Sequence, residues 1–254
     1  MTFRSILGKA RWGILETFNR RNFNLPGSRP IVSFTFDDFP QSALHVGGSI
    51  LKNYGARGTY YAAMGLMDQV NALGRHFSAE DLANLLRDGH ELGSHTFDHL
   101  SSRSSSSFDF HANVIKGMKA VDQLTGGGRP HQFSYPYGHV TFGAKRRIGS
   151  QFASCRGIIP GVNESPVDLN LLRANSLYSQ SFDLKVINSL FEDNEKYRGW
   201  LIFYTHDISE NPSPFGCKPG EFENVVKVAV KKQTAIITVG QAALGVITHR
   251  GSGR

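Results

Sequence analysis

The chain has 254 residues, 40% of them hydrophobic and 19% charged, which is enough for one sizeable core in a single domain the size of an α/β barrel. Its formal net charge is +7, but residues 1 to 30 hold Arg4, Lys9, Arg11, Arg20, Arg21 and Arg29 against the single acid Glu16, so the remainder is nearly balanced. No basic stripe or nucleic-acid motif runs through that remainder, no apolar run reaches the roughly 18 residues of a membrane span, and the two cysteines, Cys155 and Cys217, make no disulfide framework. A nucleic-acid binder, an integral membrane helix and a disulfide-stapled domain are therefore not expected.

Residues 1–29 read as a basic amphipathic segment. On a helical projection Phe3, Ile6, Leu7, Ala10, Ile14 and Phe18 share one stripe, while Lys9, Glu16 and Arg20 face away. Such a helix either lays its stripe on the rest of the protein or rests on an anionic surface, so residues 1–21 are a candidate for peripheral contact with an inner membrane. Arg4, Lys9 and Arg11 interrupt any apolar signal-peptide core, and the expected location is the cytoplasm.

From residue 30 to 250, short β-branched and aromatic runs alternate with helical periodicity. Strands are predicted at 31–36, 58–63, 91–94, 132–135, 152–155, 172–177, 200–205 and 235–238, and helices at 41–54, 79–88, 108–125, 140–148, 182–195 and 221–232. This alternation predicts an α/β fold with a parallel sheet closed or partly closed into a barrel, its functional residues at strand carboxyl ends. The serine-rich stretch 101–107 reads as a loop, Gly126-Gly127-Gly128 as a turn that ends a helix, and Cys155 as a buried small hydrophobe.

Asp37 and Asp38 end the first predicted strand of that region. Neighbouring side chains of a regular strand point to opposite faces, so both acids serve one site only where the strand breaks up, as Phe39-Pro40 suggests. His95 and His99 are four residues apart, a spacing that places them on one face of a helical turn and within reach of a shared ion. Two imidazoles and one carboxylate suit a divalent metal, zinc above all with cobalt, nickel or iron as alternatives, and leave a coordination position open for water. That is the arrangement of a catalytic site, with one carboxylate to spare.

Thr35-Phe36-Asp37-Asp38-Phe39-Pro40 and His95-Thr96-Phe97-Asp98-His99 resemble the first two motifs of the polysaccharide deacetylases, a family of metal-dependent carbohydrate esterases. Tyr135-Pro136-Tyr137-Gly138 is similar to the third motif and Phe203-Tyr204-Thr205-His206-Asp207 to the last. The resemblance implies an irregular parallel (β/α) barrel with about seven strands, one fewer than the usual eight. It also implies that Asp38, His95 and His99 hold the metal and that Asp37 is the general base on the attacking water. His206 is then the acid for the leaving group, and the Tyr137 N–H a donor to the oxyanion. The implied reaction removes acetyl from an N-acetylated or O-acetylated sugar during surface polysaccharide or glycolipid biosynthesis, with a lipid-linked sugar as a candidate substrate.

Three departures qualify the likeness: in the third motif, in the fourth, whose Asp and Trp are not evident, and at Phe39. Ser134 stands where the third motif usually has the arginine that orients the base, and a serine has no guanidinium fork. Arg173, in Leu171-Leu172-Arg173-Ala174-Asn175, is nominated in its place, and Asp168 is the nearest acid to the fourth motif. Phe39 also replaces a glycine. Phe39, Tyr135 and Tyr137 are rim aromatics that could stack on sugar rings. The rival readings are a pseudoenzyme that binds a glycan or partner without hydrolysis, and a deformylase or other amide hydrolase on the same fold.

Overall fold

The computed structural model describes residues 12–245. Phe3, Ile6, Leu7 and Ala10 of the predicted stripe lie outside them. In chain order the strands are β1 (Asn22–Phe23), β2 (Ile31–Asp37), β3 (Thr59–Ala62), β4 (Val70–Asn71), β5 (Gly74–Arg75) and β6 (Glu91–Ser94). They continue with β7 (Gln132–Ser134), β8 (Ser154–Arg156), β9 (Val167–Asp168), β10 (Asn175–Ser176), β11 (Trp200–Thr205) and β12 (Ala235–Ile236). Seven run side by side in the order β10-β11-β2-β3-β6-β7-β8, every pairing parallel, and β12 adds to β2. The sheet curls into a partial barrel, the irregular form that the family resemblance implies.

The central strand β2 shows why. All seven of its residues are buried, and the period of two divides them. Val32, Phe34 and Phe36 join the main apolar cluster with Phe222, Val225 and Val226 of the helix Pro219–Lys231. Ser33, Thr35 and Asp37 alternate with them: the Trp200 indole donates to Ser33 Oγ at 3.0 Å and Thr35 Oγ1 donates to the Phe203 carbonyl at 2.8 Å. Asp37 is thus delivered to the carboxyl end of a wholly buried strand.

The predicted strand 172–177 divides between the two edges of the sheet. Leu172 forms a parallel bridge to Arg156, and only Asn175–Ser176 pairs with β11. The segment between them crosses the gap that an eight-stranded barrel would fill. Within the predicted helix 41–54, Ala43–Gly48 is π-helical and Ser49–Asn53 is α-helical. Gly47 and Gly48 let it press on the sheet, since a Cβ at either would meet the Phe36 ring or the Tyr60 hydroxyl at 2.9 Å.

The described part of the N-terminal segment packs on this body. Residues 12–17 are helical, and β1 pairs antiparallel with β9. The two described residues of the stripe do not face inward: Ile14 is 56% exposed and Phe18 38%, whereas Leu15 is wholly buried in a cluster with Phe110, Val114 and Phe133. The helix stops before the stripe can continue, with Asn19 in the left-handed region at φ 46°. Among the described residues no helix is long and apolar enough to cross a membrane.

Candidate active site

β2 ends in a turn that places two adjacent acids in one site. Asp38 and Phe39 take φ values of 60° and 55°, a left-handed conformation that costs an L residue roughly 1–2 kcal/mol. The reversal breaks the strand's alternation, so the Asp37 and Asp38 carboxylates line the same cavity. Phe39 is fully buried and stacks on Phe77, and Tyr135 is 1% exposed. Of the three expected rim aromatics only Tyr137, 59% exposed, stands at the surface.

His95 and His99 do converge, but by a different backbone from the expected helical turn. β6 ends at Ser94, and Thr96 and His99 both take left-handed φ, 66° and 52°. This loop brings the ring centroids to 4.9 Å. The His95 Nδ1 donates to the Ser134 carbonyl at 2.7 Å, which leaves Nε2 as a bare acceptor pointing away from that bond. Asp38 Oδ1 lies 3.7 Å from His95 Nε2 and 3.3 Å from His99 Nε2. The ligand atoms of these three residues are all within 4.8 Å of one another.

Their chemistry fits a divalent cation. Asp38 Oδ1 is buried and has no hydrogen-bond partner among the described residues. Burial holds His95 down at about 3 and His99 at about 4, so both imidazoles are neutral ligands at pH 7. Burial, and then the charge of Asp37, push the Asp38 carboxyl up to about 7. A buried carboxylate oxygen with no hydrogen-bond donor, set beside two neutral imidazole nitrogens, is stabilised when a cation sits among them. The set of two imidazoles and one carboxylate is the one expected for a catalytic metal.

Asp37 is held by an arginine that the sequence reading passed over. Arg156, the last residue of β8, is wholly buried and forms an ion pair with Asp37 Oδ1 through Nη2, which also donates to Ser134 Oγ at 2.5 Å. Its guanidinium carbon lies 5.1 Å from the centre of the Tyr61 ring and 4.9 Å from that of Tyr204. Burial would raise the Asp37 carboxyl, but Arg156, through its charge and its hydrogen bond, holds it below the usual carboxylate value. Ser134, at the arginine position of the third motif, serves as a support for an arginine that arrives from the next strand.

Arg173 is elsewhere. It forms an ion pair with Glu16 and donates through Nη1 to the Pro160 carbonyl at 2.9 Å. Its expected contact with Asp37 is corrected: because Leu172 is bridged to β8, the next residue turns toward the N-terminal helix. Asp168 accepts from Lys145 Nζ at 2.7 Å and from the backbone N–H groups of Arg21 and Asn170.

His206 follows β11. Its Nδ1 faces the Phe215 carbonyl at 3.3 Å and its Nε2 is 3.9 Å from Asp38 Oδ2. Burial lowers its pKa. Tyr137, at φ 59°, sits with its ring 4.3 Å from that of His99. Asp37, Asp38, His95, His99, Tyr137 and His206 all line one cavity of about 670 Å³, walled on the apolar side by Leu73, Ile158, Tyr178 and Phe215. A sugar-sized ligand fits that volume.

Residues 24–150, half of the chain, match the polysaccharide deacetylase family. The chain belongs to that family. The matched span contains Asp37, Asp38, His95, His99 and Tyr137, while Arg156 and His206 lie beyond it. Among curated relatives, the peptidoglycan-N-acetylglucosamine deacetylase PgdA of Listeria monocytogenes is 29% identical over 119 residues, 46% of this chain and 24% of that one. The peptidoglycan-N-acetylglucosamine deacetylase of Bacillus cereus is 26% identical over 127 residues, 50% of this chain and 55% of that one. The chain thus spans about a quarter and about half of these two proteins. A family 4 acetyl xylan esterase from Clostridium thermocellum, solved with a cobalt ion, shares the fold with a TM-score of 0.58 at 15% identity, covering 84% of this chain and 89% of that one.

Proposed function

We propose that this member of the polysaccharide deacetylases removes acetyl from an N-acetylated, or O-acetylated, sugar by divalent-metal-dependent hydrolysis. The observation that carries the reading is the unpartnered Asp38 Oδ1 between His95 Nε2 and His99 Nε2, beside a second carboxylate, Asp37, paired with Arg156. Asp38, His95 and His99 would hold the metal. Bound there, a divalent cation polarises an acyl carbonyl and makes water a stronger acid. Zinc suits two imidazoles and a carboxylate best, and the cobalt in the Clostridium esterase supports cobalt as a substitute.

The chain's own groups do the rest. Asp37, kept ionised and fixed in direction by Arg156, takes the proton of the attacking water. The water oxygen bonds to the acetyl carbon. His206, its Nε2 beside Asp38 Oδ2, would act as an imidazolium that gives its Nε2 proton to the sugar nitrogen as the C–N bond breaks, leaving free amine and acetate, and it is recharged as Asp37 gives up the proton taken from water. The Tyr137 N–H stabilises charge on the carbonyl oxygen. Tyr137, with its exposed ring, offers a stacking face for a sugar.

The names of the Listeria and Bacillus relatives make an N-acetylglucosamine unit the first substrate to test. Place in surface polysaccharide or glycolipid synthesis, and a lipid-linked substrate reached through the basic residues near the N-terminus, extend the same proposal. The test is release of acetate and of formate from N-acetyl and N-formyl hexosamines, their oligomers and lipid-linked forms. Acetate from at least one N-acetyl or O-acetyl sugar supports the reading. Formate alone would replace it with a deformylase, and metal binding without any hydrolysis would leave a binding protein.

A further inference from the structure

The left-handed turn at Asp38 and Phe39 is held from outside by one hairpin. β4 and β5 form it, and its tip residues Asn71, Ala72 and Leu73 line the catalytic cavity. Its return arm runs along the turn: Pro40 and His76 form an antiparallel bridge, the Phe77 N–H donates to the Phe39 carbonyl at 3.1 Å, and the Phe39 and Phe77 rings stack at 4.8 Å. The stack explains how a phenylalanine occupies the turn in place of glycine.

His76 completes this latch. It is fully buried, and its Nδ1 lies 3.1 Å from the Asp38 carbonyl. A carbonyl only accepts, so the proton is on Nδ1. In a neutral ring Nε2 is then a bare acceptor, and it has no hydrogen-bond partner among the described residues. An apolar ring would fill the same space without burying an unpaired nitrogen. What the imidazole adds is one bond, and that bond ends on the backbone of a candidate metal ligand.

On the metal reading above, we infer that His76 is a positioning residue. By anchoring the Asp38 carbonyl it fixes the turn that aims the Asp38 carboxylate between His95 and His99, and so sets how tightly the site holds its cation. Support of this kind from outside the ligand set governs metal affinity in general.

The test is the Zn²⁺ dissociation constant by chelator competition, with thermal unfolding of the metal-free proteins measured alongside. His76→Phe keeps a ring and removes the donor, and its dissociation constant should rise about 10- to 100-fold, while His76→Asn, whose amide nitrogen takes the Nδ1 place, should stay within about threefold of wild type. His76→Gln places its amide at the Nε2 position and should weaken binding as much as His76→Phe. If His76→Phe does not fold, the contrast between His76→Asn and His76→Gln decides. A purely structural histidine would lower the unfolding temperature and leave the affinity of the folded protein unchanged, and that result would overturn the inference. Asn and Gln variants of equal affinity would do the same. A wild-type protein that binds no Zn²⁺ would overturn the metal reading and this inference with it.

Discussion

Arg156 has one carboxylate to serve. It is buried at the end of β8, lies between two tyrosine rings, and pairs with Asp37. Replacing it with methionine should lower kcat about 100-fold, the low end of what a correctly poised general base contributes, with metal content unchanged. Arg173→Ala should leave kcat near wild type, because that side chain bonds Glu16 and the Pro160 carbonyl. Steady-state kinetics of the two variants with elemental analysis check both outcomes. The sequence made Asp37, Asp38, His95 and His99 legible through type and spacing, and the structure brings them together. It pointed to the wrong arginine because Arg156 and Arg173 both follow strand-like runs. The rule that functional residues stand at strand carboxyl ends, applied to the predicted strand 152–155, would have nominated Arg156.

At the scale of elements, local signals were strong where caps and burial agree. The helix Ala79–Arg87 starts at Ser78, whose Oγ accepts from the Asp81 N–H at 3.1 Å while Asp81 Oδ2 accepts from the Ser78 N–H at 2.8 Å. The helix Ser107–Thr125 ends at Gly126 with φ 68°. Turns built from left-handed non-glycine residues were not legible. Asp38, Phe39, Thr96 and His99 adopt such φ only because tertiary contacts hold them, and a histidine pair at that spacing reads as helical by default.

The capping box also carries a pH dependence. Burial raises the Asp81 carboxyl, but hydrogen bonds from Ser78, Gln41 and His45 outweigh it and hold the pKa below the usual value. A pKa lower in the folded state gives stability that is present above the unfolded value of about 3.9 and is lost as pH falls through the folded one. Asp81→Ala should therefore cost about 1 kcal/mol at neutral pH and less near pH 3, as measured by urea unfolding at both.

For the whole molecule, alternation of strand and helix made the α/β class and the parallel sheet legible, and the strand count followed from the family resemblance. Strand order was not fully legible, since β2 pairs on one side with β3, which follows it in the sheet, but on the other with β11, far away in sequence. Nor was the seating of residues 12–29. Lys145 is completely buried, with Nζ 2.7 Å from Asp168 and 2.5 Å from the Leu15 carbonyl, so one cation ties the N-terminal helix to the strand pair β1 and β9. No hydrophobic pattern reports a buried lysine. Lys145→Met would strand the Asp168 carboxylate and should cost about 3 kcal/mol in chemical denaturation.

Two neighbouring acids have different duties in the proposed reaction, Asp38 on the metal and Asp37 on the water, and that division is central. Metal stoichiometry and acetate release, measured together on wild type, Asp37→Ala and Asp38→Ala, test it most directly. Asp38→Ala should lose the metal and the activity, and Asp37→Ala should keep the metal and lose the activity. An Asp38→Ala protein that retains its metal, or an Asp37→Ala protein that releases acetate at the wild-type rate, would contradict the assignment.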